Sequence, residues 1–264
     1  MREVTAIADG DGFSVRRVRM RAAGEAWTDP EISPGYDVNF IRTGAFRARV
    51  GGHVLLADPA VAYVGHPGRE LSIAHAPGRQ DAWTSIALAE DTVHELTGGT
   101  RPAVAFPVTG RLAVQHRMLV ARRHAEAFEL AERTARLVGE LLRGRPPGTR
   151  RAAAGLVESA RELLALDPTR GLRDVAREAG CSPYHLSRAF HRETGTTLTR
   201  YRNRIRVLMA LEAVEGGRRD LAGLAAELGF ADHAHLTRTV RQECGHPPAV
   251  LRRMLARAEP DKAD

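Results

Sequence analysis

The stretch Cys181-Ser182-Pro183-Tyr184-His185-Leu186-Ser187-Arg188-Ala189-Phe190, followed by Glu193-Thr194-Gly195, has the parts of a short helix with a marked start, one apolar face and a marked stop. Ser182 is a good N-cap, and Pro183 suits the first helical position, where no backbone N–H is needed. Leu186, Ala189 and Phe190 fall three or four residues apart and close one face, which leaves Tyr184, Ser187, Arg188 and His191 on the other. Upstream, Leu172 to Gly180 reads as a shorter helix, with the small Ala176 where a second helix must cross closely and Gly180 as a left-handed stop. The pair predicts a helix-turn-helix.

The same pattern recurs about 50 residues later. Leu221 to Gly229 aligns with Leu172 to Gly180, Leu236-Thr237-Arg238-Thr239-Val240 aligns with Leu186 to Phe190, and Gly245 aligns with Gly195. The second turn is one residue longer, and Asp232 is its predicted cap. Leu236 and Val240 close the apolar face, while His233, Thr237, Arg238 and Arg241 are left outside. A buried repeat has no use for a polar, basic face in both copies, and a surface that reads DNA does.

Charge sharpens the point locally and not globally. The chain of 264 residues carries 39 Lys+Arg against 32 Asp+Glu, and Lys262 is its one lysine, a bias that GC-rich coding produces unaided. From Ser182 to Arg206, however, Arg188, Arg192, Arg200, Arg202, Arg204 and Arg206 face a single acid, Glu193. Such an excess attracts a polyanion, though on charge alone a solvated helical face accounts for it equally well. Between the copies, Tyr201, Ile205, Leu208, Met209 and Leu211 recur at helical spacing and predict a connecting helix from Leu198 to Val214.

Further out, Arg143-Gly144-Arg145-Pro146-Pro147-Gly148 reads as a linker, and the polar end from Glu259 to Asp264 reads as a tail. Before the linker, Leu112 to Arg143 lacks proline and predicts two helices. A stripe of Phe128, Leu130, Leu137, Val138, Leu141 and Leu142 packs on a core or on a second subunit. From about Phe13 to Leu88 short apolar alternations, Val38 to Ile41, Ala45 to Val50, His53 to Leu56, Ala62 to Val64 and Leu71 to Ile73, are broken at Gly44, Gly51-Gly52, Asp58-Pro59 and Pro67-Gly68. This predicts an antiparallel barrel or sandwich, with Gly51-Gly52 as a hairpin turn. Composition is that of a soluble globular chain, and neither a membrane span nor a signal peptide is expected, so the cytoplasm is the expected location. Cys181 and Cys244 read as reduced thiols.

The doubled motif, with Leu228-Gly229-Phe230-Ala231-Asp232 and Gly245-His246-Pro247-Pro248 in the second copy, resembles the AraC/XylS family of bacterial transcription regulators over about residues 150 to 256. Leu198, Val240 and Leu251 depart from the residues frequent there, at packing positions. The resemblance implies an α+β chain: an N-terminal cupin-like β-barrel with flanking helices for effector binding or dimerisation (1–145), then an all-α domain of two helix-turn-helix motifs joined by a linker helix (149–257). It implies that Tyr184, Ser187, Arg188, His233, Ala234, His235, Thr237 and Arg238 contact bases. Ser182, Arg192, Arg200, Arg202 and Arg241 would hold phosphates, on physical grounds, along two adjacent major-groove segments of double-stranded DNA. A small-molecule effector, a homodimer and, for an activator, RNA polymerase are the further partners implied; no membrane, cofactor or catalytic residue is.

An alternative stays open, a barrel enzyme or sensor whose helical module binds something other than DNA. His53, His66, Glu70 and His75 lie in the region where cupins hold metal, but the His-x-His with a following Glu that many of them use is absent. His233 and His235, two apart on a helix, face different directions and make no metal pair. DNA-repair methyltransferases with a similar C-terminal module need N-terminal cysteines, and none precedes Cys181.

Overall fold

The computed structural model describes every residue except 22–23, 77, 122–125, 145, 147–153 and 257–264. Most of the expected linker from Arg143 to Gly148 and the whole tail from Glu259 to Asp264 therefore lie outside the described residues.

Among the described residues the N-terminal part holds ten strands: β1 (Arg2–Gly10), β2 (Phe13–Arg21), β3 (Glu31–Ile32), β4 (Tyr36–Thr43), β5 (Phe46–Val50), β6 (His53–Ala57), β7 (Val61–Gly65), β8 (Glu70–His75), β9 (Gln80–Leu88) and β10 (Ala105–Pro107). They make a six-stranded sheet in the order β1-β2-β9-β4-β7-β10 and a four-stranded sheet in the order β3-β8-β5-β6. The alternations noted above fall on β4 to β8, and Gly51-Gly52 forms the turn between β5 and β6. β1 lies before the stretch read as strands from Phe13 onward; as an edge strand it is exposed along most of its length, so Val4 and Ala6 bury little.

The six-stranded sheet is apolar on one face and mixed on the other. Val18, Ile41, Tyr63 and Trp83 point inward, toward Phe46, Ala48 and Ile73 of the smaller sheet. Phe13, Val15, Val38, Phe40, Val64, Ile86 and Leu88 point outward, and helices cover them. Those helices are α1 (Glu90–Thr97), α2 (Gly110–Ala121) and α3 (Ala127–Leu142). On α3 the expected stripe buries Leu130, Leu137, Val138 and Leu141 within the molecule, whereas Phe128 is 81% exposed.

Seven further helices follow among the described residues: α4 (Ala154–Leu166), α5 (Leu172–Glu178), α6 (Pro183–Thr194), α7 (Leu198–Glu215), α8 (Leu221–Glu227), α9 (His233–Cys244) and α10 (Pro248–Ala256). Their buried residues, among them Val157, Leu164, Leu186, Phe190, Leu224 and Leu236, belong to the same apolar cluster as the outward face of the sheet. α2 makes the join, packing on α3 and also on α7, α9 and α10. At its start Gly110 comes so close to α9 that a Cβ there would sit 2.6 Å from the Glu243 carbonyl oxygen. Among the described residues no helix is long and apolar enough to cross a membrane.

Two charged junctions reinforce this contact. Asp58, in the β6–β7 connection, has no exposed surface; one carboxylate oxygen accepts from Arg161 Nε at 3.0 Å and Nη2 at 2.7 Å and from the Tyr201 hydroxyl, and the other from the Ala60 N–H at 2.8 Å. Arg161 also donates to the Leu56 carbonyl at 2.7 Å. Burial opposes its charge, but Asp58 and Tyr201 outweigh that and raise its pKa; burial lifts that of Tyr201 well above the phenolic range. Farther along α7, Glu212 and Glu215 face Arg42 of β4 and Arg117 of α2.

Removing one member of a buried ion pair strands the other, at about 3–5 kcal/mol. Asp58→Ala is therefore expected to lower unfolding free energy by about that amount in urea denaturation. An effect below about 1 kcal/mol, the range of exposed pairs, would contradict the burial of this junction.

Candidate nucleic-acid interface

Both motifs form as their sequences require. Ser182 Oγ accepts from the His185 N–H at 3.2 Å and Asp232 Oδ1 from the His235 N–H at 2.6 Å, so each second helix starts on its expected cap. Gly180 and Gly229, with φ of 68° and 73°, make the left-handed exits from α5 and α8 that a residue with a Cβ adopts only with strain. Ala176 and Ala225 are buried at the helix crossings. Leu186, Ala189 and Phe190 on α6, and Leu236 and Val240 on α9, are buried as the periodicity predicts. The departures Leu198, Val240 and Leu251 are buried too, so these positions do serve packing.

The opposite faces are open. On α6, Tyr184 is 71% exposed and Arg188 and His191 are exposed, while Ser187 is half-buried. The Arg188 Nη1 donates to the Tyr184 hydroxyl at 2.9 Å, with its guanidinium carbon 5.5 Å from the ring centroid. The pair is held in one orientation one helical turn apart, which fixes where the Arg188 fork is aimed. On α9, His233, Ala234, Arg238 and Arg241 are exposed and Thr237 is half-buried, its hydroxyl 3.4 Å from His233 Nε2. His235 is turned differently: its ring stands edge-on to Phe230 at 5.3 Å and its Nδ1 accepts from the Ala231 N–H at 3.4 Å. That residue serves the turn.

The arginine cluster divides in two. Arg188, Arg192 and Arg200 are exposed, and Arg192 keeps a contact of 3.2 Å to the buried Glu193. The other three turn into the domain. Arg202 donates to the Arg170 carbonyl at 3.1 Å, Arg204 lies 3.7 Å from Glu243, and Arg206 is buried, donating to the Pro168 carbonyl at 2.8 Å. Burial and the neighbouring Arg202 bring the Arg206 pKa down to about 10, so it remains charged at neutral pH. Arg202, expected at phosphate, is half-buried, with Nη1 bonded to the Arg170 carbonyl and Nε buried. The six-to-one excess read from the sequence thus overstates what a polyanion meets, because three of the six cations brace α7 and its neighbours.

In the barrel, the metal-type side chains do not converge. His53 and Glu70 are exposed, His66 accepts from Arg101 Nε at 2.9 Å, and His75 lies 2.5 Å from Asp81. Among the described residues no group of three or more potential ligands is assembled. Instead, the inward face of the six-stranded sheet opens on a cavity of about 640 Å³. Register places Arg16, Ser85, Asn39 and Tyr63 side by side across β2, β9, β4 and β7, and all four line it, with Trp83 beside them and Asp37 farther along β4. Burial raises the Asp37 pKa, against the bond from Ser33 and the charge of Arg16. Nothing in the linear order signals this row, since its members come from four strands. Both cysteines are unpaired, and burial pushes the Cys244 thiol up to about 12.

Residues 175–254 match the family model described as a helix-turn-helix domain. A curated relative, the transcriptional activator RhrA of Rhizobium meliloti (strain 1021), is 34% identical over 89 residues, which is 33% of this chain and 28% of that protein. The match therefore spans under a third of the relative's length. Among solved structures, ToxT from Vibrio cholerae O395 covers 93% of this chain and 99% of its own at 13% identity with a TM-score of 0.39. A cupin superfamily protein from Desulfitobacterium hafniense DCB-2 covers 34% of this chain and 79% of its own, at 13% identity and a TM-score of 0.30.

Asp232 sets a negative charge at the N-terminus of α9, where a phosphate would otherwise be favoured. Asp232→Asn keeps the cap and removes that charge. The expected outcome is unchanged thermal stability with tighter binding to any duplex, read by fluorescence anisotropy; unchanged binding would mean that this helix end does not approach the backbone.

Proposed function

From a C-terminal domain of the AraC/XylS helix-turn-helix type, we propose that this protein is a sequence-specific DNA-binding transcription regulator that answers to a small molecule held in its barrel. The observation that carries the reading is the repeated pair α6 and α9, each capped, each burying one apolar face, and each leaving a polar and basic face open. Tyr184, Ser187, Arg188, His233, Ala234, Thr237 and Arg238 then meet base edges. Arg188 and Arg238 carry the most discrimination, because a guanidinium bonds guanine O6 and N7 together. Arg192, Arg200, Arg241 and the N–H groups after Ser182 hold the backbone and set register. The cavity, with hydrogen-bonding groups in one row and Trp83 as an apolar wall, suits an organic ligand with a polar edge. Contact with RNA polymerase and self-association go with the regulator reading, as does a cytoplasmic place of action.

The 18 residues of α7 are about 27 Å long, whereas successive major-groove faces lie roughly 34 Å apart. Docking both motifs on one face of the duplex then requires tilt or bent DNA, and circularly permuted sites should migrate anomalously in gels.

Selection from a random duplex pool, followed by footprinting, tests the whole reading: two protected segments about one helical turn apart are expected, and uniformly nonspecific binding would sink it. On a selected site Arg188→Ala should cost about 1–3 kcal/mol and relax one base position. Arg200→Ala should weaken all sequences alike and reduce the salt slope by about 0.9.

A further inference from the structure

Strand β4 has two different neighbours. Its inward-pointing Asp37 and Asn39 line the cavity, and the strand itself packs on α7. Between Ile41 and Thr43 the pairing with β9 slips by one residue, so Arg42 is the extra residue of a bulge, released from the ladder and re-aimed by the local bend. Its guanidinium reaches Glu212 Oε2 through Nε at 3.1 Å and Nη2 at 2.9 Å, and Glu215 Oε2 through Nη2 at 2.6 Å. From the other side Arg117 Nη2 lies 3.0 Å from Glu212 Oε2 and its Nε 3.0 Å from Glu215 Oε2. The arginine side chains are 6% and 3% exposed, the glutamates 31% and 19%. Next door, Phe40 of β4 stacks on His116 of α2 with centroids 4.7 Å apart.

Such a cluster is costly to break one contact at a time. Arg17 adds a third cation nearby, its pKa lowered by burial and by Arg42 against the pull of Glu215 and Glu212. Withdrawing α7 from this face would leave Arg42 and Arg117 buried without counter-charge unless water enters at the same step. Where packed contacts are bistable, sub-ångström shifts are amplified into discrete ones. The opposite part of α7 is pinned as well, because Tyr201 bonds Asp58, so the barrel holds the connecting helix at two points about 16 Å apart along its axis. α6 and α9 both pack on α7, and α9 also packs on α2, which carries Arg117, so the seat of α7 bears on how the two helices stand.

We propose that Arg42, Arg117, Glu212 and Glu215 form a latch through which the occupant of the barrel cavity sets the seating of α7, with β4 as the lever. Asn39 at the cavity and Arg42 at the latch are three residues apart on one strand, and Trp83 of the cavity wall pairs with Ile41 beside the bulge. A ligand that spreads the Arg16-Ser85-Asn39-Tyr63 row moves β4 against β9, where the bulge already breaks the register. Latched, the two recognition helices are preorganised and two-segment binding costs less ordering; unlatched, each motif binds on its own. The consequence for DNA rests on the regulator reading, and the existence of the latch does not.

Hydrogen exchange on the full chain tests the latch without DNA. Glu212→Gln/Glu215→Gln should speed exchange of the amides from Ile205 to Glu215 by at least about tenfold while Leu186 to Phe190 and Leu236 to Val240 stay protected. Asn39→Leu, a change confined to the cavity, should speed the same α7 amides, and the combined variant should go no further than the latch variant alone. Faster exchange limited to the barrel, or an additive effect in the combination, overturns the proposal. If Asn39→Leu does not unfold cooperatively, Ser85→Leu replaces it from the neighbouring strand of the same row, under the same two outcomes. On the selected duplexes, the ratio of full-site to half-site affinity should fall by at least about fivefold in the latch variant, the lower end of ordinary coupling; an unchanged or increased ratio overturns the control of α6 and α9. A wild-type chain that does not distinguish full from half sites would instead sink the regulator reading, and the exchange result would still decide the latch.

Discussion

Asp58 is a carboxylate with no exposed surface, and the arrangement of the molecule follows from how its charge is met. Desolvating an ion costs several kcal/mol, which only a close counter-charge and further hydrogen bonds offset. Arg161 from α4, the Tyr201 hydroxyl from α7 and the Ala60 N–H of its own turn supply them. The barrel and the helical part therefore need each other at this point. With the apolar cluster running through α2 from the outward face of the sheet to both helix-turn-helix motifs, they share a core that neither would close alone.

Arginine does two kinds of work in this chain. Outward-facing guanidinium groups on α6 and α9 keep their forks available to a polyanion, Arg188 held on Tyr184 and Arg238 open. Inward-facing ones, Arg202 and Arg206 on carbonyls, Arg161 on Asp58, Arg42 and Arg117 on two glutamates, fasten elements to each other. A weakly hydrated, planar cation with five donors suits both tasks, which is why net charge describes the interface so poorly.

The six-stranded sheet separates two environments by its alternation. One face is apolar and carries the helices, the other presents polar groups from four strands to a cavity. Strand β4 touches both, and its bulge at Arg42 converts a regular edge of the cavity into a contact with α7. Strand β4 thus runs from the cavity to α7, the helix between the two motifs.

Capping residues, helical periodicity and the doubled pattern are local properties, so the sequence alone determined the two motifs, their buried faces and their open ones, down to Ser182, Asp232 and the glycine exits. Short apolar runs between turn residues marked β4 to β8 as well; β1, an exposed edge strand that buries little, stayed hidden. Where the charges go was decided only by tertiary structure. Arg161 finds Asp58 across 103 residues and Arg42 finds Glu212 across 170, separations at which no spacing rule operates. Arg202 and His235 sit beside surface-facing residues on their helices and yet turn inward, because the neighbouring carbonyl of Arg170 and the ring of Phe230 are brought there by the fold. The cavity row is of the same kind: strand register, set by packing on both faces of the sheet, gathers side chains that nothing in the linear order joins.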